Sequence, residues 1–366
     1  MDSADSVLIL GGGPAGLSAA IALARQGISA LVIERSAYDD IRIGEHIAPA
    51  AVLQLRALDP TSSLPLDSYF ASPGVEAYWG SETAHHMDYF LHPAQQGLNL
   101  PRPQFDADLA RSCELSGAPV LRSASLGRAT RRNSRWDVQI NHHNETKQGA
   151  VSVIIDATGR AATFSRRQGA KVCAHDRQIA VVSVETHADR EITNRRSVVE
   201  TVDAGWWYQA PIGATKNLSM FVTDDDLVPR GQSKLFEWWL DQLNRAAHLS
   251  EGLDCDSRML MTRSARSQRL DAISGDGWLA IGDAAMAFDP LASQGIAKAL
   301  DHGKRAAVAI SMYLAGNGSS LERLAVEMQR EYLAYRKIRA DYYRLERRWP
   351  QSPFWKRRHR EIVASD

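Results

Sequence analysis

One stretch, Val7 to Glu34, narrows the possible folds of this chain more than any other: VLILGGGPAGLSAAIALARQGISALVIE. Val7 to Leu10 is a short apolar run of the kind that forms a buried strand. Gly11, Gly13 and Gly16 follow in a G-x-G-x-x-G array, with Pro14 and Ala15 between them. An alanine- and leucine-rich segment then predicts a helix to about Gln26, where Gly27 ends it. Ser29 to Ile33 reads as a second strand, with Glu34 at its tip. Strand, glycine turn, helix, strand and terminal acid are the context a dinucleotide-binding unit requires. The glycines let backbone approach a pyrophosphate, and the helix N-terminus holds its charge. Glu34 is placed to accept hydrogen bonds from a ribose diol, with Arg35 beside it.

With 366 residues, the chain is long enough for two cores. Lysine plus arginine equals aspartate plus glutamate at 43 each, which gives no argument for a nucleic-acid or membrane partner. Cys113, Cys173 and Cys255 lie far apart, so neither a disulfide framework nor a zinc site is expected, and the setting reads as reducing and cytoplasmic. Asp2 and Asp5 precede an apolar run that stops at glycine, which reads as a strand and not a signal peptide. No apolar run approaches a membrane span.

Beyond the first unit, Gly44-Glu45-His46 precedes a helix beginning near Pro49. A buried carboxyl beside an imidazole is a candidate proton-handling pair; a loop leading into a helix is the plainer reading. Residues 60 to 100 are loop-rich and aromatic. His85, His86 and His92 match no closed zinc pattern, so no metal is expected. Arg102 opens a helix and could clamp a phosphate. Strands are predicted at Val120–Leu126, Trp136–Ile140, Val151 into Asp156, Ile179–Thr186, Arg196–Val202, Gly205–Gly213 and Leu218–Thr223. This middle block reads as a mostly antiparallel sheet, followed by a helix over about Lys234 to Ala247. Trp207 and Tyr208 could line a pocket or fill sheet core. Late in the chain, Gly277 to Asp283 is a strand ending in Gly282-Asp283, and a Pro290 to Gly295 turn leads through Ile296 into a long helix. The end is helical, and its RRWPQSPFWKRRHR tail reads as a solvated basic segment or a dock for an acidic partner.

Three motifs in this order, GGGPAG with Glu34, DATGR at Asp156 to Arg160, and GDAAMAFDPLASQG at Gly282 to Gly295, resemble the FAD-dependent monooxygenases of the para-hydroxybenzoate-hydroxylase-like superfamily, near the branch containing the flavin-dependent halogenases. The resemblance spans roughly residues 7 to 310. It implies an α/β fold: a Rossmann-like FAD domain of the glutathione-reductase type, a mostly antiparallel substrate sheet and C-terminal helices. The implied domain division is 1–70, 100–170 and 270–320 for FAD, 71–99 and 171–269 for substrate, and 321–366 for the helical end. It implies that Gly11, Gly13, Pro14, Ala15 and Gly16 take the pyrophosphate, Glu34 and Arg35 the adenosine ribose region, and Gly282 and Asp283 the ribityl and pyrophosphate region. Pro290, Gly295 and Ile296 would flank the isoalloxazine ring, and Arg102 would add a further FAD contact.

Departures from the resemblance limit the activity. Thr158 stands where the hydroxylases usually carry an acid, which argues against direct NAD(P)H handling and leaves NAD(P)H or a separate reductase as the electron source. The halogenase W-x-W-x-I-P motif becomes Trp206-Trp207-Tyr208-Gln209-Ala210-Pro211, and no lysine occurs between Glu45 and Glu145, so halogenation is not expected. AYWGS at Ala77, His92-Pro93, RPQFD at Arg102 and the late motif resemble a narrower group, the flavoprotein maturases of oxidases carrying cysteine tryptophylquinone. That resemblance implies oxygenation of a tryptophan in a partner oxidase precursor. A hydroxylase of a free aromatic or indole metabolite and a non-catalytic FAD-binding maturation chaperone are the other readings. In either enzyme, Glu45 or His46 would handle the proton and Trp207 and Tyr208 would stack on the substrate.

Overall fold

The computed structural model describes residues 6–59, 63–186, 191–249 and 260–360; Asp2, Asp5 and Cys255 lie outside the described residues. Two large sheets organise the chain. The first has six strands in the order Ser274–Gly275, Trp278–Ala280, Val153–Asp156, Ser6–Leu10, Ser29–Ile33 and Val120–Leu121. All its pairings are parallel except that of Ser274–Gly275 with Trp278–Ala280. Its strands are covered on both faces, which is why Val7, Leu8, Ile9, Val153, Ile154 and Ile155 are all buried. The helices Pro14–Ala24 and Gly295–Leu314 lie against each other on this sheet. Their approach is close enough that a Cβ on Gly303 would sit 2.7 Å from the Ala15 carbonyl oxygen, and Ser18 Oγ donates to the Leu300 carbonyl across the seam at 2.8 Å.

A second sheet has seven strands: Met261–Ser264, Gln178–Thr186, Lys216–Asp224, Gly205–Gly213, Ser197–Val202, Gly74–Tyr78 and His85–Asp88. It is antiparallel apart from the pairing of Ser197–Val202 with Gly74–Tyr78. Side-chain alternation divides its aromatic residues. Trp206 and Tyr208 join Ala180, Met220, Tyr343 and Trp355 on one face. Trp207 and Phe221 point to the other, under the helix Gln232–Asn244, where Trp207 meets Trp239 edge-on at 4.9 Å. No helix of the described residues is long and apolar enough to cross a membrane.

The C-terminal helices Ser320–Leu345 and Pro353–His359 join the two sheets, contributing Leu321 to Tyr335 to the first core and Tyr343, Phe354 and Trp355 to the second. The basic tail is therefore packed on the fold through its aromatic residues and Arg358, with its other cations at the surface. Phe354 and Trp355 are buried, and Arg357 and Arg358 pair with Asp224 at 2.7 and 2.8 Å. The aromatic residues interleaved with the arginines decide this, because they bury only if the tail folds back.

A buried ionic knot holds the bridge. Asp289 accepts from Arg339 Nε and Tyr343 Oη, both at 2.8 Å, while its own amide donates to Tyr335 Oη at 2.6 Å. Arg339 also reaches Asp176 at 3.1 Å. Removing one partner of such a group strands the other charge, so Arg339→Ala should lower unfolding free energy by about 3–5 kcal/mol. Urea melts of the variant will show it, and an unchanged midpoint contradicts the assignment.

Candidate functional site

Between the two sheets lies a cleft of about 1300 Å³, lined from Glu34 and Arg35 at one end to Tyr208, Met220 and Met261 at the other. The glycine turn forms its floor. Gly11 has φ +110° and its missing Cβ would land on the Ala157 carbonyl, so only glycine fits there. A Cβ on Gly13 would meet nothing within 4 Å, leaving open space above the turn. The helix that follows has Gly13 as N-cap, Pro14 in its first turn and no side-chain cap. Its first amides thus lack intrahelical partners and face a cavity, the arrangement that holds a phosphate.

Glu34 reaches back to that turn. Its carboxylate accepts from the Gly12 amide at 2.7 Å, from Ser36, and from Arg42 at 3.0 Å. Burial alone would raise its pKa, but these hydrogen bonds and the Arg42 charge hold it below the usual value. Arg35 is exposed on the rim. At the other side of the floor, Asp283 receives Lys298 Nζ at 2.9 Å and lies 3.6 Å from Arg160 Nε. Against burial, these two cations keep it ionised. Gly282 is buried, and its amide donates to His302 Nδ1 at 3.2 Å. Pro290, Gly295 and Ile296 line the cleft beyond it.

Arg102 lines the cleft, but its donors are largely committed. It pairs with Asp106 at 3.1 Å and donates to the carbonyls of Ile43 and Gly44. It therefore pins the loop that carries Glu45 and His46. His46 is buried between Asn99 Oδ1 at 2.9 Å and Tyr89 Oη at 3.1 Å, and burial depresses its pKa, which favours the neutral ring. Glu45 is 2% exposed, and neither carboxyl oxygen has a hydrogen-bond partner. Burial raises its pKa to about 7; the Arg102 charge and the Gly44 and Glu45 amides offset this only in part. Tyr208 lines the same end of the cleft, and burial and then the nearby Glu45 raise the pKa of its phenol.

Trp207 corrects the sequence expectation. It shares neither face nor cavity with Tyr208; it is wholly buried on the far side of the sheet, its indole donating to the Gln242 carbonyl at 3.3 Å. Strand alternation forbids adjacent residues from lining one pocket. The wall residue that the sequence reading missed is Met220, paired across the strands with Tyr208; the same alternation would have pointed to it. Arg42 was missed because nothing local marks it as the partner of Glu34 and Asp106.

The residues fit a dinucleotide: an uncapped helix start over open space, a carboxylate at the second strand's tip and a second acid across the floor. Glu34→Ala and Asp283→Ala should each raise the dissociation constant for FAD about tenfold or more, read by flavin fluorescence on titration of apoprotein. Since the folded protein holds the Glu45 proton more tightly than the unfolded chain, wild-type stability should fall as pH rises from about 5 to about 8. Thermal melts should therefore show Glu45→Gln gaining on wild type over that window.

A family model described as FAD binding domain matches residues 5–338. The LodB protein of Marinomonas mediterranea, named as an FAD-dependent oxidoreductase, is 28% identical over 371 residues, covering 98% of each chain. Among solved structures, the flavin-dependent halogenase CmlS superposes with a TM-score of 0.85 at 23% identity, over 100% of this chain and 69% of that one. The peptidyl tryptophan dihydroxylase QhpG, described as essential for tryptophylquinone cofactor biogenesis, gives 0.79 at 21% identity, over 99% and 81%.

Proposed function

The chain belongs to the FAD binding domain family and is an FAD-dependent oxidoreductase, and from that premise we propose that it oxygenates a tryptophan side chain in the precursor of a partner oxidase, during assembly of a cysteine tryptophylquinone cofactor. The observation that carries this reading is Glu45: a buried carboxyl with two unpartnered oxygens, at the end of the cleft walled by Tyr208 and Met220. A buried acceptor without a donor is costly, and an indole N–H entering that end would satisfy it. FAD, when bound, supplies the redox chemistry, passing electrons from NAD(P)H or a reductase to dioxygen. Each oxygenation consumes one dioxygen, two electrons and two protons, places one oxygen atom on the ring and releases the other as water.

The chain's own residues do the rest. Glu45 accepts the indole proton when ionised. His46, fixed by Asn99 and Tyr89, stays neutral and holds the loop's wall. Ala180, Tyr208 and Met220 exclude water from the ring. The similarity to LodB over nearly the whole of both chains supports the oxidoreductase part of this reading, and the likeness in fold to QhpG supports a tryptophan target. Against halogenation, no lysine lines the cleft among the described residues.

The test is a precursor segment containing tryptophan, supplied with the holoprotein, a flavin reductase, NADH and air. Mass spectrometry should show the segment gaining one or two oxygen atoms. Oxygenation of free tryptophan with none on the segment would overturn the proposal. Turnover should rise with pH through about 7 as Glu45 ionises, and Glu45→Gln should keep its flavin while losing about a hundredfold or more in rate. Without a reductase, NADH or NADPH should bleach the flavin slowly, as Thr158 implies.

A further inference from the structure

We propose that the strand Met261–Ser264 is a docking edge for the polypeptide that carries the target residue, which adds to the sheet as an eighth strand and drops an aromatic side chain into the cleft. This rests on the reading of a protein-borne substrate given above. The strand lies at the end of the seven-stranded order and, among the described residues, pairs only with Gln178–Thr186. The Ala265 amide donates to the Gln178 carbonyl at 3.1 Å. By antiparallel alternation, Arg263 and Met261 then make the inward hydrogen bonds, and Thr262 and Ser264 turn their N–H and C=O groups outward. Residues 262 to 264 are exposed. An unpaired edge of this kind is a template for another strand.

The edge is continuous with the cleft. Met261, Arg263, Ser264 and Ala265 all line it. Met261 and Arg263 pair with Val182 and Ala180, on the same face as Tyr208. A strand added alongside would lie about 4.8 Å away, with every second side chain over that face. Arg263 selects the occupant. It lines the cleft with no carboxylate partner among the described residues; its guanidinium covers only the Thr262 carbonyl at 3.0 Å and the Met261 sulfur at 3.6 Å. A carboxylate on the incoming strand would pair with it, and a tryptophan two residues away would share its face, opposite Met261. The fitting partner is an extended segment of the form acid-x-tryptophan or its reverse.

Thr262→Pro removes one outward N–H and leaves the inner ladder intact, since proline is tolerated where an edge amide faces solvent. The probe is the labelled peptide acetyl-Val-Asp-Thr-Trp-Thr-Val-amide, with binding to the holoprotein read by fluorescence anisotropy. Thr262→Pro and Arg263→Glu should each weaken binding about tenfold, with FAD content unchanged. An N-methyl group on the peptide's edge-facing amide should do the same to wild type. Wild-type affinity in both variants, or no peptide binding to wild type, overturns the proposal. Edge-dependent binding without oxygen gain leaves docking standing and removes the oxygenase reading; equal oxygenation by wild type and Thr262→Pro does the opposite.

Discussion

The relation between the two sheets depends on one buried oxygen atom. Tyr343 Oη donates to Asp289 at 2.8 Å and accepts from Gln178 Nε2 at 2.7 Å and from the Trp206 indole at 3.0 Å. Those four groups come from the last long helix, the turn beside the cleft and two strands of the seven-stranded sheet. Asp289 is 2% exposed, so its charge is tolerable only because Arg339, the Tyr343 hydroxyl and the Leu291 amide donate to it. The partners cannot move apart without leaving a buried charge bare. A cleft built between two sheets needs a fixed width to hold a ring against a second ring, and this knot supplies it. Trp206, which it fixes, is two residues from Tyr208 on the same strand face, so the cleft wall inherits the same anchorage.

Charge is distributed along the cleft by the same logic of burial. At the glycine-turn end the buried acids have partners: Glu34 has Arg42 and two amides, and Asp106 has Arg42 and Arg102. At the other end neither Glu45 oxygen accepts a well-formed hydrogen bond, and only the Arg102 charge and the nearby Gly44 and Glu45 amides offset its burial. Arg102 separates the two regimes. It is spent on Asp106 and on the carbonyls just ahead of Glu45, so it fixes the loop without forming a salt bridge with the acid. Glu34, held by donors, stays ionised, whereas burial without such donors brings Glu45 up to about 7, where it can exchange a proton. The two ends of the cavity thus differ in which carboxyls receive donors.

The nucleotide unit was legible because its signal is local: glycines, helix and acid fall within one βαβ unit, and Gly11 can be nothing else at φ +110°. The Gly282-Asp283 turn was legible for the same reason. The substrate wall was half legible. A run of three aromatics announces a strand, but which of them faces a cavity depends on what packs on each side, and the helix carrying Trp239 claims Trp207. The tail misled because its charges were weighed before its aromatics; Asp224, more than a hundred residues earlier, is what makes burial of Arg358 tolerable. Glu45 could be flagged by composition, but its missing partners are a tertiary fact. The edge at Met261–Ser264 has no sequence signature, because an edge is defined by having no further strand beside it among the described residues.

The cations of the cleft finish the argument about chemistry. Lys298 is the lysine nearest the floor, and it is consumed: it pairs with Asp283, donates to the Met286 carbonyl and sits 4.3 Å from the Phe288 ring centroid. It is absent from the lining. The cations that do line the wall are guanidiniums, which stay charged and do not shuttle protons at neutral pH. At the apolar end the groups able to change protonation are Glu45, His46 and Tyr208, of which burial keeps the imidazole and the phenol neutral. An acceptor that ionises near neutrality, set among neutral walls, suits removal of a proton from an uncharged aromatic ring; it offers no ammonium to hold an oxidised halide.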